Sequence, residues 1–189
     1  MKKLTLSVLL IALAGPALAH TGHGTASGLS HGLAHPLLGL DHLLAMLAVG
    51  LWSGFALTKR VWLGAAAFMS AMIAGAALSW AGIGFPMVET AITLSIVVFG
   101  LLTLMSNPGQ ARTLTAVSLA AIAAFALAHG HAHATEAAGS AAGYMAGFLL
   151  ATGALHLVGL GLARTIAQPL VQRSLGAGVA MSGLWMMVG

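Results

Sequence analysis

The chain has no cysteine, only three acidic residues and only seven basic ones among its 189. Without cysteine there are no disulfides and no thiolate metal sites. Any metal ion must be held by His, Asp, Glu, Met or backbone oxygen. Charged residues amount to 5%, far below the roughly 25% of a soluble domain, which excludes an ordinary water-soluble fold. The basic residues stand singly or in pairs, so no patch exists to bind nucleic acid. The phosphate-binding loop pattern and HExxH are missing, which argues against nucleotide-driven transport and the zincin type of protease chemistry.

What is present is apolar. Hydrophobic residues make up 59% of the chain and mean hydropathy is +1.00, as expected of an all-α integral membrane protein. The start "MKKLTLSVLLIALAGPALA" has a basic Lys2–Lys3, an apolar run from Leu4 to Ala14 and a small-residue "ALA" ending at Ala19. It is expected to be a secretory signal peptide over 1–19, cleaved before His20. A first membrane helix left in place is the alternative. Cleavage leaves five basic and three acidic residues, a formal +2.

Six apolar segments follow, at about 36–57, 61–81, 89–105, 113–130, 139–162 and 169–188, separated by turn-forming or charged breaks. The expected organisation is a His/Gly-rich segment over 20–35 and a six-helix transmembrane bundle over 36–189. With the N-terminus outside, the breaks carrying Lys59, Arg60, Arg112 and Arg164, with Arg173 just beyond, fall inside, in keeping with the positive-inside rule. Both ends of the mature chain are then periplasmic in a bacterial inner membrane. "GLWSG" at 50–54 and "GYMAG" at 143–147 are small-xxx-small patterns that let helices approach closely.

Nine histidines stand out against three acids. "HPLLGLDHLLAM" begins the first span. On one helix with Pro36 in its first turn, His35, His42 and Met46 lie within about 20° of one line and Asp41 about 120° away. Asp41 is then a ligand, an orienter of a histidine, or simply paired with a neighbouring helix. "HGHAHATE" closes the fourth span. If helical, it sets His129, His133 and Glu136 on one face and turns His131 elsewhere; if a loop, all three histidines can converge or stay solvated. Both motifs fall at the same membrane face, where one metal site can draw on both. His156, alone in the fifth span, is either a helix-packing histidine or a lower station on a path. Glu89 suits the start of the third helix through the helix dipole. His20, His23, His31 and His35 belong to a Gly-rich tract suited to metal capture.

These residues resemble the HupE/UreJ family of membrane proteins, accessory to nickel hydrogenases and ureases. The resemblance rests on a His, five residues and Asp-His, here His35, Asp41 and His42. It rests also on a second motif read as "AHGHAHATE", in which His129, Gly130, Ala132, His133 and Glu136 match. Ala128 and Ala134 depart from the family's Phe and Gly. The resemblance implies a permease that brings a divalent transition metal, nickel first, from periplasm to cytoplasm for metalloenzyme maturation. Copper, cobalt and zinc suit imidazole equally, and Met46 leaves room for Cu(I). The expected partners are the metal ion and the bilayer, with nickel-enzyme maturation proteins and a second copy of the chain as further ones. A membrane metal sensor or chaperone and an intramembrane zinc hydrolase using metal-bound water are the competing readings.

Overall fold

The structure, a computed structural model, describes residues 28–137 and 139–188. The expected signal peptide, His20 and His23 lie outside them. The described residues form seven helices and no strand. They are α1 Gly28–Leu38, α2 Leu40–Ala56, α3 Leu63–Trp80, α4 Val88–Met105, α5 Arg112–Glu136, α6 Ala141–Ile166 and α7 Pro169–Val188. Helices α3 to α6 are long and apolar enough to cross a membrane, and α1 with α2 makes a fifth crossing if that bent pair is one span.

The first span differs from the expected continuous helix over 36–57. Pro36 lies inside α1, and the chain turns by 80° between α1 and α2. The turn is at Gly39, whose backbone is extended at φ −88, ψ 115. A Cβ there would stand 2.8 Å from Asp41 Oδ1 and 2.9 Å from His42 Nδ1, so glycine leaves room for the two polar side chains that follow. Residues 28–35, expected within a loose His-rich segment, are helical because α1 lies along α6. At Gly32 a side chain would overlap the Tyr144 carbonyl, and at Gly147 the Leu29 carbonyl.

The same device joins the other close pairs. A Cβ on Gly50 of α2 would overlap the His156 carbonyl on α6, and one on Gly159 the Leu47 carbonyl. Between α3 and α5, Gly75 abuts the Leu127 carbonyl and Gly130 that of Met72. With lipid tails outside, no hydrophobic drive pushes helices together, so close backbone approach and its dispersion contacts must hold them. Both sequence patterns take part: Gly50 and Gly54 face α6, and Gly147 faces α1.

Met46, Phe68, Met72, Tyr144 and Phe148 fill the interior with no exposed surface. Outward faces are apolar, with Leu150, Leu157, Met181 and Trp185 open. Trp62 and Trp80, at the two ends of α3, are exposed too, as interfacial tryptophans are. Helix α5 runs to Glu136, beyond the expected 130, and α6 to Ile166, beyond 162. Alanine-rich sequence sustains the helix there, and Trp80 Nε1 donates to the Ala134 carbonyl, tying the extension to α3.

Gly75→Val should strain the α3–α5 crossing by about 1–3 kcal/mol and lower the melting temperature in detergent. Gly161→Ala, whose added Cβ meets nothing within 4 Å, should leave it unchanged or slightly raised. Equal melting temperatures for Gly75→Val and the parent would rule out the close crossing.

Candidate metal centre

The bend at Gly39 and the long α5 bring the two histidine motifs together. His35 comes from α1, His42 from the first turns of α2, and His133 from the last turn of α5. The His42 and His133 rings are 4.4 Å apart between centroids, His35 and His133 4.9 Å, and His35 and His42 5.7 Å. One ligand atom from each lies within 4.8 Å of the others. Small side-chain rotations would bring all three onto one ion at ~2.1 Å.

Each ring is oriented by an acceptor. His133 Nδ1–H donates to Glu136 Oε2 at 3.0 Å, one helical turn on. His42 Nδ1–H donates to Asp41 Oδ1 at 2.6 Å. His129 Nε2–H donates to Ser95 Oγ at 3.0 Å, and that hydroxyl gives its own hydrogen to the Ile92 carbonyl. Since carboxylates only accept and Ser95 has spent its hydrogen, the protonated nitrogen of each ring is fixed. The opposite nitrogens, His133 Nε2, His42 Nε2 and His129 Nδ1, are buried without a partner. Unprotonated imidazole nitrogens of this kind are what a transition metal binds.

The cluster opens at one side. His129 and His133 have no exposed surface, whereas the side chains of His35 and Glu136 are 25% and 47% exposed. Glu136 also accepts from His35 Nε2 at 3.2 Å, so one carboxylate spans α1 and α5. It lies just beyond the apolar stretch Arg112–Thr135. The hydrogen bonds from His133 and His35 hold its carboxyl well below the usual carboxylate range despite partial burial. Glu136 therefore remains an anion and an acceptor.

Not every expected residue joins. His131 points away, with Nε2 2.8 Å from the Ile83 carbonyl and its ring beside Phe85, because 131 lies half a turn from 129 and 133. Met46 does not share a stripe with His35, since the helix is broken between them; it sits in the apolar core. Asp41 orients His42 and is outside the three-residue ligand group, as are His129 and Glu136. His156 lies below the cluster, and Glu89 stays exposed in the first turn of α4.

Sequence reasoning missed the walls. Phe148 packs on His133 at 4.1 Å, and Tyr144, the chain's one tyrosine, lies 6.0 Å from His35 and 5.4 Å from His31. His31, expected in the loose capture tract, instead precedes His35 by one turn of α1, which sets it beside Tyr144. Ser95 gave no signal, because one serine in an apolar span is ordinary.

Among the described residues the basic ones collect at the opposite end. Arg164 Nη2 donates to the Leu57 carbonyl at 2.7 Å, and the Gly109 amide to that of Ala56 at 3.1 Å. A cavity of about 410 Å³ there is lined by Thr58, Asn107, Arg164, Gln172 and Arg173 among others.

Apolar helices joined by glycine contacts around a half-open polyhistidine cluster define an all-helical membrane protein with a candidate metal centre. The profile described as HupE / UreJ protein matches residues 8–186. Protein HupE of Rhizobium leguminosarum bv. viciae is 42% identical over 195 aligned residues, covering 100% of both chains. The chain belongs to the HupE/UreJ family. No solved structure matches it.

If the carboxylates orient the imidazoles, Asp41→Asn and Glu136→Gln should each weaken nickel binding to the purified protein by about 10- to 100-fold. His133→Ala should abolish it. Calorimetric affinities unchanged in both carboxylate variants would sink this assignment of roles.

Proposed function

We propose that the protein is a permease that carries a divalent transition metal ion, nickel foremost, inward across the bacterial inner membrane to supply metalloenzyme maturation. The observation that carries this reading is the cluster of His35, His42 and His133, half-open at one end of the bundle, with bare ring nitrogens fixed by Asp41 and Glu136. A scaffold role would not explain it, since buried polar atoms without partners cost about 1–3 kcal/mol each. The family relationship supports the same reading, as does the absence of His131 and Met46 from the cluster, which leaves a nitrogen-rich centre suited to nickel, cobalt, copper or zinc rather than to Cu(I).

In this proposal α1 and α2 form one broken span and α7 the sixth crossing, its 20 residues reaching ~30 Å. Cleavage after Ala19 frees His20 and His23 as an outer capture arm. Lys59, Arg60, Arg112, Arg164 and Arg173, at the end away from the cluster, support a cytoplasmic position for that end. A divalent ion moving inward gains about 4.6 kcal/mol per 100 mV of inside-negative potential, so facilitated passage needs no nucleotide. The ion is cargo here, not a resident cofactor, and no catalytic group is assigned.

Proteoliposomes of the pure protein should accumulate nickel under an inside-negative potential. His42→Ala and His133→Ala should each remove most uptake, and the double variant should be little worse, because groups acting on one ion are non-additive. Metal binding without accumulation would identify a sensor or chaperone instead, and strictly additive losses would mean two separate sites.

Orientation is tested with single cysteines in this cysteine-free chain. An impermeant thiol reagent should label Gly84→Cys in intact spheroplasts, and Asn107→Cys only after permeabilisation. The reverse pattern would overturn the topology.

A further inference from the structure

Below the cluster lies a second set of polar groups that the outer site does not use. His156, on α6, is 2% exposed, and its Nδ1–H donates to the Thr152 carbonyl at 2.7 Å. That bond fixes the tautomer and leaves Nε2 unprotonated. Nε2 is buried and has no partner. Ser53, on α2, is also 2% exposed, and its hydroxyl has no partner. Both residues line one small, otherwise apolar cavity of about 80 Å³, lined also by Val61, Leu160 and the exposed Trp62 and Leu157. That volume admits a metal ion with a water molecule or two.

Glycines allow the close packing beside it. A Cβ on Gly64 would overlap Ser53 Oγ, and one on Gly50 the His156 carbonyl. The cavity's place in the bundle is equally specific. Phe68 stands between the two histidine levels, its ring 5.4 Å from that of His129 and 5.1 Å from that of His156. His156 lies eight residues along α6 from Phe148, which packs on His133, so it is ~12 Å further into the bundle. Val61 and Trp62 belong to the α2–α3 connection, which also carries Lys59 and Arg60. The cavity therefore lies on the side of Phe68 that faces the basic end.

We propose that His156 and Ser53 form a second, inner binding station for a partly hydrated divalent transition metal ion, separated from the outer cluster by the Phe68 ring. The inference rests on the permease reading. His156 Nε2 supplies the nitrogen ligand, Ser53 Oγ an oxygen ligand directly or through water, and the Thr152 carbonyl holds the imidazole in its ligating tautomer. An ion leaving the outer cluster has no other described histidine nitrogen between Phe68 and the basic end.

The test uses the full-length protein with nickel for uptake and cobalt as a spectroscopic probe. His156→Phe keeps a ring but removes the ligand. It should bind nickel at the outer cluster with the parent affinity while uptake into proteoliposomes falls by at least about 10-fold. Ser53→Ala should lower uptake less. His156→Cys restores a ligand; it should recover part of the uptake and, loaded with cobalt, show a thiolate-to-cobalt absorption band that in this chain can come only from position 156. Parent-like uptake by His156→Phe, or no such band in His156→Cys, would overturn the inner station. Should His156→Phe fail to fold, the His156→Cys band and Ser53→Ala uptake decide, and parent-like behaviour in both counts against it. Failure of the parent protein itself to accumulate nickel would refute the permease reading and is recognisable separately.

Discussion

The site depends on one kind of contact, a buried imidazole giving its single N–H to an acceptor that can do nothing but accept. Asp41, Glu136, the Thr152 carbonyl and Ser95 each play that part for a different histidine. Without these acceptors a neutral imidazole exchanges tautomers, and the lone pair points to the core in only one of them. With them, four bare nitrogens are held in an interior of low dielectric, where a metal ion is the strongest partner they can find. Burial and orientation work together: the packing that excludes water also makes the unmet lone pairs expensive.

The fold supplies this through backbone geometry more than through side-chain bulk. Glycine contacts draw α3 against α5 and α2 against α6, which sets His129 and His133 beside α2 and His156 beside Ser53. Larger residues at those crossings would clash with the facing backbone and push the helices apart. The break at Gly39 has the complementary effect, letting α1 lie along α6 so that His35 reaches the cluster from a different direction than His42.

Much of this was legible in the sequence. The apolar runs announced the helical membrane character, and the common face of the two histidine motifs announced their meeting. The route to that meeting was not legible. "PLLGLDHLL" is apolar on both sides of Gly39, and one glycine inside such a run is compatible with a straight helix, so the break left no mark in hydropathy. The stripe containing His35, His42 and Met46 assumed a helix that does not exist there. His131 shows the opposite case, since helical spacing alone turned it away from the cluster, and it is bound to the Ile83 carbonyl. The Ser95 partnership and the Phe148 and Tyr144 walls depend on residues 30 or more positions distant in sequence from the histidines of α5 or α1 or on a different helix, beyond the reach of any local pattern.

Two of the chain's three acids, Asp41 and Glu136, stand at this one cluster. With neutral imidazoles they give it a formal double negative charge, which one divalent cation cancels. A monovalent ion would leave half of that charge uncancelled, and a trivalent ion would overshoot it by one. By charge count alone a divalent ion matches the two carboxylates better than an alkali cation does, ahead of any preference for ring nitrogen.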